Sequence, residues 1–263
     1  RSVYKDYAKT QRYVNVGGDP NMQNPTAFPD QPLELDGGEW TCDGDGVQQN
    51  MEGMPIIACP HPILPVERLI NIDTGEEKLK IAFSKGRRWR YAVYGKDVLF
   101  VANKVTQLSS IGVAVTSENA KALVKYLCYI ENRNYDILPE RNSVGRLGYV
   151  GDDNVFSPYQ PDLSFDGESN YSEMYRAIRP QGSYDVWRET AVRCRQESRT
   201  AQILLAASFA SVLLGHIGAL PFFVHLWGVE SGTGKTVGLM LAASVWGDPM
   251  LGRYVQTFNA TQV

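Results

Sequence analysis

The run Ser231-Gly232-Thr233-Gly234-Lys235-Thr236 holds the residue types that grip a phosphate. Backbone N–H groups of a glycine-rich loop converge on an anion only where no side chain blocks the approach, and Gly232 and Gly234 permit that approach. A helix starting at the lysine adds its own unpaired amides and the positive end of its dipole. Lys235 would then reach the β- and γ-phosphates, Thr236 would place its hydroxyl on Mg²⁺, and Ser231 and Thr233 would sit against the nucleotide. The usual spacing, Gly-x-x-x-x-Gly-Lys-Thr, puts its first glycine at 229. This chain has Val229 there and Gly228 one residue earlier. The first glycine mainly serves the turn leaving the preceding strand, so Val229 bears on loop geometry more than on phosphate chemistry. The motif predicts ATP and Mg²⁺ as cofactors.

Such a loop must sit between a strand and a helix. PFFVHLW (221–227) is a short apolar run of the kind that forms a buried parallel strand. TVGLMLAASVWG predicts a helix ending at Gly247. Two helices are expected upstream: 185–197, capped by Asp185, and an apolar one over 200–215. The most apolar stretch, 201–220, has the length of a membrane span. Gln202, Ser208, Ser211, His216 and two glycines interrupt it, so a helix buried between protein layers is expected, with no membrane span.

Further upstream the period changes. Leu79, Ile81 and Phe83 alternate with Lys78, Lys80 and Ala82, and Trp89, Tyr91 and Val93 alternate with Arg88, Arg90 and Ala92. Both predict half-buried strands, joined as a hairpin at Gly86. A helix follows, with Ser117 as N-cap and Ala120, Leu123, Val124, Leu127 and Ile130 on one face, ending near 132–134. Residues 14–55 are rich in Gly, Pro, Asn, Asp and Gln and read as a linker or irregular arm.

Basic residues cluster along the hairpin: Lys78, Lys80, Lys85, Arg87, Arg88, Arg90, Lys96 and Lys104, against Asp97. Cationic grooves with aromatic platforms bind single-stranded nucleic acid, which makes Lys85, Arg87, Arg88 and Arg90 candidate contacts. The alternation favours a plainer reading, with Trp89 and Tyr91 in the core and the arginines in water. Cys42, Cys59 and His61 lack the paired spacing of a structural zinc site, so packing roles are expected of them. His216 and His225 read as structural histidines.

Composition sets the outer bounds. A hydrophobic fraction of 43% supports a real core, and 263 residues suit one or two domains. A balance of 26 Lys and Arg against 29 Asp and Glu excludes a bulk polycation, so any nucleic-acid contact must be a local patch. Four cysteines without a Cys-x-x-Cys pair suit reduced thiols in the cytoplasm. The chain starts at Arg1 with no apolar leader in its first residues, and is expected to lack its true N-terminus.

The segment TAQILLAASFASVLLGHIGALPFFVHLWGVESGTGKTVGLMLAASVWGDP, with Phe-Asn-Ala-Thr at 258–261, resembles the P-loop segment of the domain of unknown function 927 family. ACPHPILPVERLINIDTGEEKLKIAF, GVAVTSENAKALVKYL and GRLGYVG extend the resemblance over roughly 38–263. The family usually has glycine where Val229 stands. Its members occur in prophages, plasmids and other mobile elements, beside or fused to primase-type domains. The resemblance implies a helicase-type ATPase in mobile-element DNA replication. It also places an acidic, Mg²⁺-holding strand downstream of Phe-Asn-Ala-Thr, beyond Val263.

The resulting expectation is an α/β chain: an irregular arm (1–38), an α+β accessory domain (39–183), and the start of a truncated, helicase- or AAA+-like P-loop NTPase domain (184–263). Its partners would be single-stranded or forked DNA, further copies of itself and a primase. The catalytic residues stay unassigned. Two other classes remain open: a nucleotide-gated assembly module without motor activity, and a small-molecule kinase built on the same loop.

Overall fold

The computed structural model describes residues 22–51, 53–86, 88–150, 155–160, 162–167, 174–230 and 232–256. Ser231, Arg87 and Phe-Asn-Ala-Thr at 258–261, singled out above, lie outside them, as does the start of the irregular arm. The chain is mixed α/β and divides into two compact units between Asn142 and Ser143, upstream of the 183/184 boundary expected from sequence.

In the first unit, β1 (Thr41–Asp43), β2 (Gly46–Met51) and β3 (Met54–Cys59) form an antiparallel sheet in that order. β4 (Ile63–Asn71), β5 (Glu77–Ser84), β6 (Trp89–Gly95) and β7 (Glu140–Val144) belong to a second sheet in the order β7-β4-β5-β6. The predicted hairpin is present. β5 and β6 pair antiparallel, and Gly86, at φ +70°, takes the left-handed conformation its turn requires. Leu79, Ile81 and Phe83 are buried as their alternation demands.

The facing of β6 differs from expectation. Its register sets Ala92 and Tyr94 opposite the buried Ile81 and Leu79, so these two pack toward the core, while Arg90, opposite Phe83, is exposed as expected. Tyr91 is 42% exposed, on the side of Lys80, whose ammonium lies 5.5 Å from the Tyr91 ring centroid. Trp89 still packs against the core: its indole N–H donates to the Pro29 carbonyl at 3.1 Å and its ring meets Phe28 edge-on. Pairing register decides which parity faces inward, and on an edge strand with apolar residues of both parities the pattern alone does not.

After β6 come the short helices α1 (Lys96–Leu99) and α2 (Ala102–Val105) and a 3₁₀ segment, Thr106–Ile111. α3 (Ala120–Arg133) buries Ala120, Leu123, Tyr126, Leu127 and Ile130. Its N-cap is Asn119 rather than Ser117. The Asn119 side chain accepts from the Thr116 amide at 2.7 Å and donates to the Ala58 and Ala114 carbonyls, tying the helix start to β3. Tyr126 donates to the Ile63 carbonyl at 2.7 Å and meets Trp40 edge-on at 5.5 Å, so α3 is fixed to β4 by a buried polar anchor inside an apolar contact. Residues 22–38, expected to form part of a linker, are irregular yet packed. Phe28, Leu33 and Leu35 are buried, and the Asp36 backbone exchanges hydrogen bonds with the Asn134 side chain at the end of α3.

In the second unit the last residues of β7, Ser143 and Val144, pair in parallel with β10 (Ser164–Phe165), and β8 (Gly148–Val150) pairs antiparallel with β9 (Val155–Ser157). Three helices follow: α4 (Tyr184–Glu197), α5 (Arg199–Ser211) and α6 (Lys235–Ala243). Ser183, not Asp185, precedes α4, and Asp185 lies in its first turn, where a carboxylate suits the dipole. Ser198 caps α5 by accepting from the Ala201 amide at 3.3 Å. α5 ends four residues before the expected Gly215 and buries one side only: Ala201, Leu204 and Leu205 are covered, while Ile203 and Phe209 are exposed.

The clearest departure is PFFVHLW. Residues 219–228 form no strand, and Leu220, Phe222, Phe223 and Trp227 are exposed. A parallel strand cannot satisfy its own N–H and C=O groups; it needs ladder neighbours, and among the described residues none pairs with this run.

Candidate functional site

Within the second unit, residues 228–236 lead into α6. Gly232 (φ +79°) and Gly234 (φ +80°) both take the left-handed conformation, and Gly234 is the residue from which the helix starts. A Cβ at either would meet nothing within 4 Å, so conformation rather than crowding calls for glycine there. No side chain caps α6 and no acidic residue occupies its first turn, so its leading amides and dipole are not offset by a local carboxylate. Gly232, Thr233, Gly234, Lys235, Thr236 and Val237 line a cavity of about 320 Å³.

The Lys235 ammonium folds over the loop. It donates to the Glu230 carbonyl at 2.8 Å, the Thr233 hydroxyl at 3.0 Å and the Gly228 carbonyl at 3.4 Å. Thr233 in turn donates to the Glu230 carbonyl at 3.4 Å. These bonds gather the predicted residues from Gly232 to Thr236 on one concave face. Thr236 is exposed on that face. Val229 is 86% exposed, and its φ is not positive. The unusual residue therefore turns its side chain to solvent in a conformation open to any residue. A second cavity of about 550 Å³ adjoins the loop, sharing Thr233, Gly234 and Lys235 and reaching Ser198, Leu226 and Trp227.

What holds the loop is the seating of α6 on α5. A Cβ on Gly238 would come within 2.8 Å of Leu204 Cδ1 and 3.4 Å of Leu226 Cδ1. Ser208 of α5 donates to the Ala242 carbonyl at 2.7 Å, and the Trp246 indole donates to the Ser208 hydroxyl at 3.1 Å. Gly238 went unremarked in the sequence. A mid-helix glycine costs about 1 kcal/mol relative to alanine, and that cost is the signal of close packing that marks it.

The basic cluster contracts. Lys80 pairs with Glu67 at 3.2 Å, Lys96 with Glu77 and Glu131 at 3.0 Å, Lys104 with Asp97 at 2.9 Å, and Lys78 with Glu76 at 4.0 Å. Lys85, Arg88 and Arg90 are exposed and in no ion pair among the described residues. They group around the Gly86 turn and the start of β6.

The cysteine and histidine candidates have structural partners. His61 accepts from the Ala114 amide at Nε2 (2.9 Å), so Nδ1–H donates to the Pro62 carbonyl at 3.1 Å. Burial lowers its pKa, with the Lys85 charge adding to the effect. Burial also pushes the Cys42 thiol up to about 12 and the Cys59 thiol to about 11, which keeps both protonated. No group of metal-ligating side chains occurs among the described residues. His216 lies against the Tyr149 ring at 4.4 Å, tilted by 30°, while His225 is exposed. No helix among the described residues is long and apolar enough to cross a membrane.

The family model described as Domain of unknown function (DUF927) matches residues 38–263. No curated protein matches the chain. Among solved structures, one titled "SCCmec type IV Cch - active helicase" is similar at 21% identity and a TM-score of 0.48, over 81% of this chain and 41% of that one. This chain thus spans less than half the length of that protein. By the match over 38–263, it belongs to the DUF927 family.

Proposed function

We propose that this DUF927 member binds ATP with Mg²⁺ at the loop of residues 231–236. The observation that carries the reading is the junction at Gly234. Left-handed glycines lead into an uncapped helix start whose first residues are Lys235 and Thr236. In this reading phosphate oxygens take the amides of 232–236, and the Lys235 ammonium exchanges its loop carbonyls for the β- and γ-phosphates. Thr236 supplies a hydroxyl to Mg²⁺, and Ser231 bonds the nucleotide. The nucleoside lies in the adjoining cavity beside Ser198 and Trp227.

The wider role we propose is a helicase-type ATPase in the DNA replication of a mobile element such as a prophage or plasmid, acting in the cytoplasm as an oligomer and working with a primase. Single-stranded or forked DNA meets Lys85, Arg87, Arg88 and Arg90. The exposure of Lys85, Arg88 and Arg90 beside an exposed Tyr91 supports that contact. Downstream of Lys235 the sequence has a single acidic residue, Asp248. It is buried, accepts from the Met250 amide and pairs with Arg253 at 3.5 Å, an arrangement that closes a turn rather than orienting water. The 263-residue chain is therefore expected to bind ATP without turning it over. The alternative of a nucleotide-gated assembly module predicts the same.

The test compares ATP binding and hydrolysis, with and without single-stranded DNA, by this chain and by the protein extended past Val263, each beside Lys235→Ala. Loss of about tenfold to a hundredfold in ATP affinity is expected for the variant, the range of a charge-assisted bond. DNA-stimulated turnover by the extended protein supports the motor. Binding without turnover on any nucleic acid supports the assembly module. Unaltered ATP affinity in Lys235→Ala would remove the loop from the reading.

A further inference from the structure

Gly238, the fourth residue of α6, lies where three segments meet. A Cβ there would come within 2.8 Å of Leu204 Cδ1 on α5 and within 3.4 Å of Leu226 Cδ1 in the run 219–228. Leu204 is 4% exposed, so its methyl has little free space to retreat into. Glycine inside a helix is unfavourable on its own account, so the close approach of α6 to both leucines is what the residue serves.

Gly238 also closes the first turn of the helix. Its N–H donates to the Gly234 carbonyl at 2.9 Å. The amides of Lys235, Thr236 and Val237 precede that bond and have no intrahelical acceptor. Their direction therefore follows from where Gly238 is seated. Lys235 ties the same turn down through the Glu230 and Gly228 carbonyls, at 2.8 and 3.4 Å. In the nucleotide-bound arrangement proposed above, the ammonium leaves those carbonyls for phosphate. The contact of Gly238 with Leu204 and Leu226 is steric and survives that exchange.

We propose that Gly238 is a positioning residue for phosphate: seated between Leu204 and Leu226, it aims the amides of residues 235–237 at the oxygens they bind, without touching the ligand itself. This role presupposes that residues 231–236 hold ATP. It adds that phosphate affinity is set from α5, by a steric fit separable from helix stability and from the space the nucleoside takes.

The test measures binding of Mg²⁺-ATP and of Mg²⁺ with inorganic triphosphate to the full chain by calorimetry, with urea unfolding followed in parallel. Valine at 238 forces α6 away from Leu204, and alanine at 204 returns a similar volume. Gly238→Val is expected to lose about tenfold in affinity for both ligands, the effect of misplacing one charge-assisted bond. Adding Leu204→Ala to Gly238→Val should bring both affinities back to within about threefold of the parent, because residues in contact act as a coupled pair. Gly238→Ala should lose about threefold in the same direction although alanine favours the helix, a result that a purely structural role does not give. That variant also keeps the test decisive if the valine variant does not fold. Loss for ATP but not for triphosphate means that valine fills the nucleoside cavity, which Gly238 also lines, and overturns the proposal. So does a double variant no better than Gly238→Val, or affinity that falls only as far as the unfolded fraction rises. Unaltered ATP affinity in Lys235→Ala is a different failure: it removes the loop from the reading, and the seat at Gly238 with it.

Discussion

The β5–β6 hairpin and the run 219–228 are built from similar material, short apolar stretches beside glycine turns, and they end in opposite states. Ile81 and Phe83 are 0% and 1% exposed, whereas Phe223 and Trp227 are 99% and 78% exposed. The difference lies in pairing. β5 has β4 on one side and β6 on the other, so its backbone groups are satisfied and its side chains have a surface to cover. The run 219–228 has no ladder neighbour among the described residues. Hydrophobicity states that a segment gains by burial; only long-range pairing supplies it. α6 forms regardless, because a helix bonds within itself and needs one packing face, which α5 provides through Leu204 and Ser208.

Four substitutions or conditions probe this contrast. The largest effect belongs to the paired region. Leu123→Ala, at a site 0% exposed on the buried face of α3, should cost about 2–5 kcal/mol in urea unfolding. Next is Gly247→Ala in the second unit. A Cβ there would collide with the Ala177 carbonyl oxygen and crowd Ile178, and backbone yields less readily than a side-chain tip. A loss of about 1–3 kcal/mol is expected, and a neutral result would show that this contact is not tight in solution.

A smaller effect comes from pH. His61 is held neutral by burial, with its folded pKa below the unfolded 6.5. Between those values the unfolded chain binds more protons, so stability is full above 6.5 and declines as pH falls toward the folded pKa. The slope is at most about 1.4 kcal/mol per pH unit, and His61→Gln should flatten it in the same unfolding measurement at stepped pH. The smallest effect is expected for Phe223→Ser, within about 0.5 kcal/mol of no change. A loss near that of Leu123→Ala would mean that the run is buried in solution, and the contrast between the two regions would collapse.

What was legible in the sequence follows the same division. Local signals held. The face of α3, the hairpin at Gly86 and the helix start at Lys235 are readable, because periodicity, a glycine turn and a helix start are encoded within a few residues. Signals that depend on distant partners failed. The parity of β6 is set by its register with β5, which is why alternation alone points Tyr91 to the core although it is exposed. The cap of α3 moved to Asn119 because that side chain also serves the Ala58 carbonyl, sixty-one residues away. The packing of 22–38 rests on Leu35, Phe28 and the Asp36–Asn134 exchange, none of which a Gly- and Pro-rich composition reveals. The ring cluster of Tyr149, Phe156 and Trp246 has no motif, since its members come from separate segments that only the fold assembles.

The fixing of Gly247 against Ala177 has a mechanical side. The Asp248 amide donates to the Ala177 carbonyl at 2.9 Å, so the far end of α6 is pinned where glycine permits backbone to touch backbone. A rod pinned at one end converts a push at the other into rotation. With an arm of about 13 Å, a displacement of about 1 Å at Lys235 becomes a tilt of about 4°. The pivot lies beside Trp246, so the Lys235 end of α6 and the stacked rings of Phe156 and Trp246 belong to one lever.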